Sequence, residues 1–229
     1  MIDTQLILIE GPPGSGKSTT AQKLAEELSN AGTPCRCFLE WEQDHPVSIG
    51  KDEDLSAVIA SSVERETDVL RQWQRFVREQ AQDETVTIIE SRFWQTTALM
   101  MYIAGSPIES VRESNRRVIE VIRPLRPVLI YFTVDDFAAL FERTIRSREE
   151  EEGWQQGSWG RHLSEALEPQ HWLSERGLTG VEGVLRCFEA CNTVQETLYN
   201  KLPFSKVTIH NPYEDRDSVM QRIRNFLQI

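Results

Sequence analysis

The residues best equipped for chemistry stand together near the start of the chain, in Gly11-Pro12-Pro13-Gly14-Ser15-Gly16-Lys17-Ser18. Their spacing fits G-x-x-x-x-G-K-[ST], the phosphate-loop pattern. The context fits too, because the apolar run Leu6-Ile7-Leu8-Ile9 precedes the loop and a helical pattern follows it. Glycines let the backbone curl until its N–H groups converge on phosphate oxygens. The helix behind them adds unsatisfied N–H groups and the positive end of its dipole. Lys17 can reach the β- and γ-phosphates of a nucleoside triphosphate, and the Ser18 hydroxyl can ligate Mg²⁺. Gly11, Pro12, Gly14, Ser15, Gly16, Lys17, Ser18 and Thr19 are therefore the expected nucleotide-binding set.

Phosphoryl transfer also needs a second metal-holding group, positive charge on the moving phosphoryl and a placed acceptor. Glu90 ends the β-branched run Thr85–Glu90, where a carboxylate can hold Mg²⁺ directly or through water. Arg92 follows two residues later and could grip a phosphate bidentately. Asp135 is a weaker metal candidate and, with Asp136, reads as a helix N-cap. Arg143 and Arg146 share a helix face with Arg148 close by. They either close over the transferring phosphate or pair with Glu142 and Glu149–Glu152 along an exposed helix. Glu40 ends the second strand, where it could take a proton from a hydroxyl or only hydrogen-bond the substrate. Trp41, Phe93 and Trp94 flank the same edge, either to sandwich a flat ring or as ordinary core. His45, His162, His171 and His210 pair with no nucleophile and read as structural or surface residues.

The elements that must position these groups alternate between strand and helix. Strands are expected at 5–10, 35–39, 85–90, 127–134 and 205–210. Helices are expected after the loop, in one or two pieces up to about 82, at 94–104, 108–123, 136–149, 182–201 and 216–228, with a helical piece near 163–174. In the first of them Ala21, Leu24, Ala25 and Leu28 share a face, and Gly32 and Pro34 end it. Such alternation gives a parallel sheet covered on both faces, with strand C-termini, and hence ligands, along one edge.

The composition sets bounds. In 229 residues, 39% apolar and 27% charged, there is enough chain for one full core with an appended helical lobe. The formal charge of −11 argues against a nucleic-acid partner. No run is long enough to span a bilayer, and a strand begins too early to leave room for a signal peptide. Cys35, Cys37, Cys187 and Cys191 lack nearby metal-ligating partners and read as reduced thiols of a cytoplasmic protein.

Taken together, these motifs resemble the P-loop small-molecule kinases of the thymidylate kinase and deoxynucleoside kinase group. The resemblance rests on Gly11–Ser18, on Glu40, on Glu90-Ser91-Arg92-Phe93, on Val128–Val134, on Arg143-x-x-Arg146-x-Arg148 as a LID, and on Asn211-Pro212-Tyr213. It implies a single P-loop kinase domain over 1–229 with a five-stranded parallel sheet in order 2-3-1-4-5. Within it, 143–160 would be the LID-like segment and 161–203 a helical insertion. It further implies ATP as donor, Mg²⁺, a grip on adenine by the loop at Asn211 and Pro212, Arg148 as a nucleotide-binding residue of the LID, and a homodimer for which helix 108–123 could supply a face. Ser91 stands where thymidylate kinases carry an aspartate, and their Arg-Glu-Pro-Gly loop is replaced by Glu40-Trp41-Glu42. The latter is closer to deoxynucleoside kinases, in which the glutamate is the base. The expected function is transfer of the ATP γ-phosphoryl to a small hydroxylated acceptor, nucleoside-like or an antibiotic. The alternatives are a nucleoside monophosphate kinase, which would need more arginines than Arg92 at the acceptor, and a regulatory ATPase, for which no Asn-Lys-x-Asp motif is present.

Overall fold

The computed structural model describes residues 3–40, 42, 44–48, 54–151, 155, 157–213 and 215–229. Trp41 and Glu152, named above, lie outside them, as do 153, 154 and 156 of the LID-like stretch. The strands are β1 (Leu6–Glu10), β2 (Cys35–Phe38), β3 (Val86–Glu90), β4 (Val128–Thr133) and β5 (Lys206–His210). They form one parallel sheet in the order β2-β3-β1-β4-β5. The central register sets Ile9 opposite both Glu90 of β3 and Ile130 of β4, so β3 and β1 end within a residue of each other while β4 runs on to Thr133.

β1 and β3 are buried along their whole length, which is why they read as continuous apolar runs rather than alternating ones. Alternate residues still choose faces. Ile7 and Ile9 join a core with helices α1 (Lys17–Asn30) and α10 (Arg216–Leu227), through Ala21, Leu24, Leu28, Val219 and Ile223. Leu6 and Leu8 face the other way, into a core with α3 (Ser62–Gln80), α5 (Ile108–Ile122) and α9 (Gly180–Asn200). Val69, Trp73 and Phe76 share one face of α3 and are all buried.

A third apolar cluster forms where α2 (Leu55–Ala60), α4 (Met100–Ile103) and α6 (Phe137–Glu151) meet α7 (Ser158–Leu167), α8 (His171–Ser174) and α9. The helical piece expected at 163–174 is thus two helices. The break falls at Gln170, whose Nε2 donates to the Ser56 hydroxyl (2.9 Å), the Ser56 carbonyl (3.1 Å) and the Ala166 carbonyl (3.1 Å). The stretch expected to start at 94 opens with one π turn, Gln95–Leu99, a distortion that often accompanies functional residues.

The solvent face of α5 is not apolar. It carries the pairs Arg112–Glu109, Arg116–Glu113 and Arg123–Glu120, and Arg117 reaches Glu66 of α3. Cys35, Cys37, Cys187 and Cys191 are all free thiols. Burial pushes Cys35 up to about 11 and Cys37 up to about 12, which keeps both protonated. Among the described residues no cluster of three or more His, Cys, Asp and Glu is arranged to hold a metal, and no helix is long and apolar enough to cross a membrane.

Candidate active site

The phosphate loop leaves β1 at Gly11, whose φ of +144° suits only glycine; a Cβ there would lie 2.6 Å from the Phe132 carbonyl of β4. Gly14, at φ +76°, is pressed by α6: a Cβ on it would fall 1.8 Å from Thr144 Oγ1. The helix that carries Arg143, Arg146 and Arg148 is therefore seated directly on the loop. Inside the loop, Ser15 Oγ and Lys17 Nζ both donate to the Pro12 carbonyl, at 2.8 and 2.9 Å. Lys17 is buried, and its ammonium also lies 3.8 Å from Glu90 Oε1. Ser18 is exposed at the first turn of α1, open to a ligand.

Opposite the loop, the ends of β2 and β3 interlock. Glu90 Oε2 accepts the Glu40 N–H at 3.0 Å, and Glu90 Oε1 accepts the Ser91 hydroxyl. Ser91 takes a left-handed conformation, φ +61°, which turns the chain out of the sheet. Arg92, buried by that turn, donates through Nη2 to the Glu40 carbonyl. Gln95 Nε2 reaches Glu40 Oε1 at 2.6 Å. Glu40, Glu90, Arg92 and Lys17 thus converge, and Gln95 joins them without having been expected. Burial raises the pKa of Glu40, and the neighbouring Glu90 charge raises it further, against Lys17 and Arg92.

A third carboxyl was not foreseen. Glu10, the last residue of β1, is fully enclosed and accepts the N–H groups of Phe93 (2.8 Å) and Trp94 (3.3 Å) on one oxygen. Burial pushes its pKa up to about 8, offset in part by Lys17. The signal was available, because an acid ending an otherwise apolar strand right before the loop has the same form as Glu90.

The structure decides between the readings left open for the other groups. Phe93 and Trp94 are core, not ring clamps: they pack on each other at 5.5 Å, and Trp94 meets Tyr131 edge-on at 5.5 Å. The N-cap of α6 is Asp136, whose carboxylate accepts the Ala139 N–H at 2.9 Å. Asp135 instead pairs with Asn211, taking its amide at 2.9 Å and donating its own N–H to Asn211 Oδ1 at 3.1 Å. Arg143 lies over the Tyr213 ring, 4.1 Å from its centroid. It borders a cavity of about 310 Å³ with Gly14, Gly16, Thr19, Pro212 and Tyr213, joining the loop after β5 to the phosphate loop. A second cavity, of about 560 Å³, opens between α2, α3 and the π turn, lined by Ser48, Ser62, Asp68, Gln72 and Thr96 among others. Arg146 and Arg148, further along α6, are among the described lining of neither cavity.

His45 sits beside this site, 5% exposed, with Nδ1 accepting the Val47 N–H at 3.0 Å. Burial, helped by the Arg92 charge, holds its pKa down at about 4 against an ordinary 6.5. It stays neutral in the fold while the unfolded chain protonates, so the unfolded state binds more protons between pH 4 and 6.5. Stability from this residue is complete above that window and is lost as pH falls through it, by about 3 kcal/mol. Glu10 titrates in the opposite sense over the same range, so the loss is read as a difference: between pH 7.5 and 4.5, unfolding free energy from urea titrations should fall by about 3 kcal/mol more in the parent than in His45→Asn.

The sheet order, the loop and its flanking strand ends define a P-loop kinase-like fold of the deoxynucleoside kinase type. The chain belongs to the AAA domain family, whose model matches residues 7–158. Among solved structures, that of deoxyadenosine kinase from M. mycoides with bound dATP is similar: 16% identity, a TM-score of 0.54, and 97% of this chain covered against 99% of that one. At that identity the likeness is one of fold. No curated protein matches the chain in sequence.

Proposed function

We propose that the protein is an ATP- and Mg²⁺-dependent phosphotransferase that moves the γ-phosphoryl group to a hydroxyl of a small, nucleoside-like acceptor. The observation that carries this reading is the Glu40 carboxyl, bonded to Gln95, next to Arg92 and Glu90 and facing the loop that holds Lys17. A half-buried carboxylate beside an arginine is the pairing that removes a proton from a neutral hydroxyl while the guanidinium steadies the acceptor. An acceptor that arrives already ionised would need no such base. The fold neighbour is a deoxyadenosine kinase, which favours a nucleoside among hydroxylated acceptors.

In this scheme the loop N–H groups and Lys17 hold the donor phosphates. The smaller cavity takes the donor base, with Arg143, Pro212 and Tyr213 around it and Asn211 next along the chain, and the larger cavity takes the acceptor. Arg146 and Arg148 approach the phosphates when the 143–160 segment closes as a LID, and 161–203 is a helical insertion within one domain spanning 1–229. The oxygen donors present suit Mg²⁺: the exposed Ser18 hydroxyl, and Glu90, whose oxygens keep lone pairs beyond the bonds from Glu40 and Ser91. When bound, the ion would neutralise charge on the β- and γ-phosphate oxygens.

ATP consumption measured with Mg²⁺ against nucleosides, nucleoside monophosphates and hydroxylated antibiotics tests this reading. Stimulation by a nucleoside or another neutral hydroxyl compound, with product phosphorylated on that hydroxyl, is the expected result. Stimulation by monophosphates alone would reassign Glu40 to substrate positioning. Slow hydrolysis unaffected by any acceptor would point to a regulatory ATPase instead.

A further inference from the structure

β1 ends in a residue that its environment disfavours. Leu6 to Ile9 are apolar and fully enclosed, and Glu10 continues the same strand 1% exposed. A carboxyl in that position costs desolvation that valine or isoleucine would not. Its contacts show what it does in return. The β1–β3 ladder ends at Ile9 and Glu90, with one last bond from the Ser91 N–H to the Ile9 carbonyl at 3.0 Å. Beyond it the chain turns through the left-handed Ser91, and the next buried N–H groups have no strand to pair with. Glu10 Oε1 accepts two of them, from Phe93 and Trp94, the residues directly after Arg92. The turn bearing Arg92 is thereby fixed at both ends, by the Ile9 carbonyl before it and the Glu10 carboxyl after it. Gly11, the first residue of the phosphate loop, is the next residue along from Glu10.

We infer that Glu10 is a positioning residue that ties the donor loop to the acceptor-side turn, so that Arg92 and Glu90 are held at a fixed distance from the phosphates. It acts through the backbone of Phe93 and Trp94 and touches no reacting atom. A displacement of about 1 Å in a catalytic group can lower turnover a hundredfold, so such a brace has a measurable kinetic consequence. A carboxyl that only satisfied buried N–H groups would affect stability and leave turnover of the folded protein unchanged.

The kinetic part rests on the phosphotransfer reading; the structural part does not. Two variants separate the roles. Glu10→Gln keeps a carbonyl oxygen for both N–H groups, and Glu10→Met fills the same space with no acceptor. In Glu10→Met, amide hydrogen exchange at Phe93 and Trp94 should accelerate by at least about tenfold relative to the amides of β3. Turnover with the acceptor found above should fall roughly tenfold to a hundredfold while ATP affinity by calorimetry stays within about twofold. Glu10→Gln should restore both to near the parent values. Unchanged exchange at the two amides, turnover near parental in Glu10→Met, or an equal loss in both variants would each overturn the proposal. So would a parallel fall in ATP affinity, which would place the effect in the loop. Should Glu10→Met not fold, Glu10→Gln alone decides, because slow exchange and full turnover are required of it. If the parent protein turns over no acceptor, the functional reading fails by itself, and the exchange and ATP-affinity measurements still judge the brace.

Discussion

Lys17→Ala should lower phosphoryl transfer by roughly a thousandfold, about 4 kcal/mol of transition-state stabilisation. The lysine is 7% exposed and its ammonium has two partners, the Pro12 carbonyl at 2.9 Å and Glu90 at 3.8 Å. Neither partner satisfies it as well as a triphosphate would, since an ammonium carries three donors and the phosphoryl oxygens gain charge during transfer. The substitution also strips the carboxyl cluster of a cation. Glu10, Glu40 and Glu90 would then face Arg92 alone, and the lowering influence of Lys17 on Glu10 and Glu40 would vanish. Both carboxyls would rise further toward their neutral forms, which takes proton-accepting capacity from Glu40 as well. The loss in turnover should therefore exceed the loss in ATP affinity, which the loop N–H groups continue to support. Steady-state kinetics beside calorimetric ATP binding checks this. Transfer left intact would remove the loop from the reaction and the present scheme with it.

How far the sequence could be read depended on the range of the interaction concerned. The strands were visible because each is a short apolar or β-branched run, and the loop because its pattern is rigid. The order of the strands came from resemblance, since no local signal says that β2 pairs with β3. What stayed hidden was set by contacts across the chain. Glu10 meets Phe93 and Trp94 some 83 residues away, so the acid at the strand end was visible but the groups it holds were not. Arg143 looked able to pair with the acids of its own helix, yet it stacks on Tyr213 from the loop after β5. Asp135 looked like a cap, and Asn211, 76 residues on, claims it instead. Phe93 and Trp94 sit at the ligand edge in sequence but point inward, because the Ser91 turn reverses the chain just before them. The break between α7 and α8 depends on a glutamine that reaches Ser56, 114 residues away. In each case the residue type was informative and its partner was not.

Glu40→Gln should reduce turnover with a hydroxyl acceptor by roughly 10²- to 10³-fold and leave ATP affinity unchanged. The glutamine keeps the length and shape of the side chain, and its carbonyl oxygen can still accept from Gln95, which now bonds Glu40 Oε1 at 2.6 Å. The backbone bonds that anchor the position survive as well: the N–H to Glu90 at 3.0 Å and the carbonyl to Arg92 do not involve the side chain. Only the capacity to take a proton disappears. A neutral hydroxyl must lose its proton as it attacks, so the deficit should fall on the chemical step and scale with the pKa of the acceptor. More acidic acceptor hydroxyls should suffer less, and monophosphates, already ionised, should lose less than about tenfold, mostly in KM. A pre-steady-state burst present in the parent and absent in the variant would place the loss in chemistry rather than in product release. An equal loss for hydroxyl and phosphate acceptors would instead mean that Glu40 orients the substrate. The base would then have to be sought elsewhere among the groups that Arg92 and Glu90 hold together.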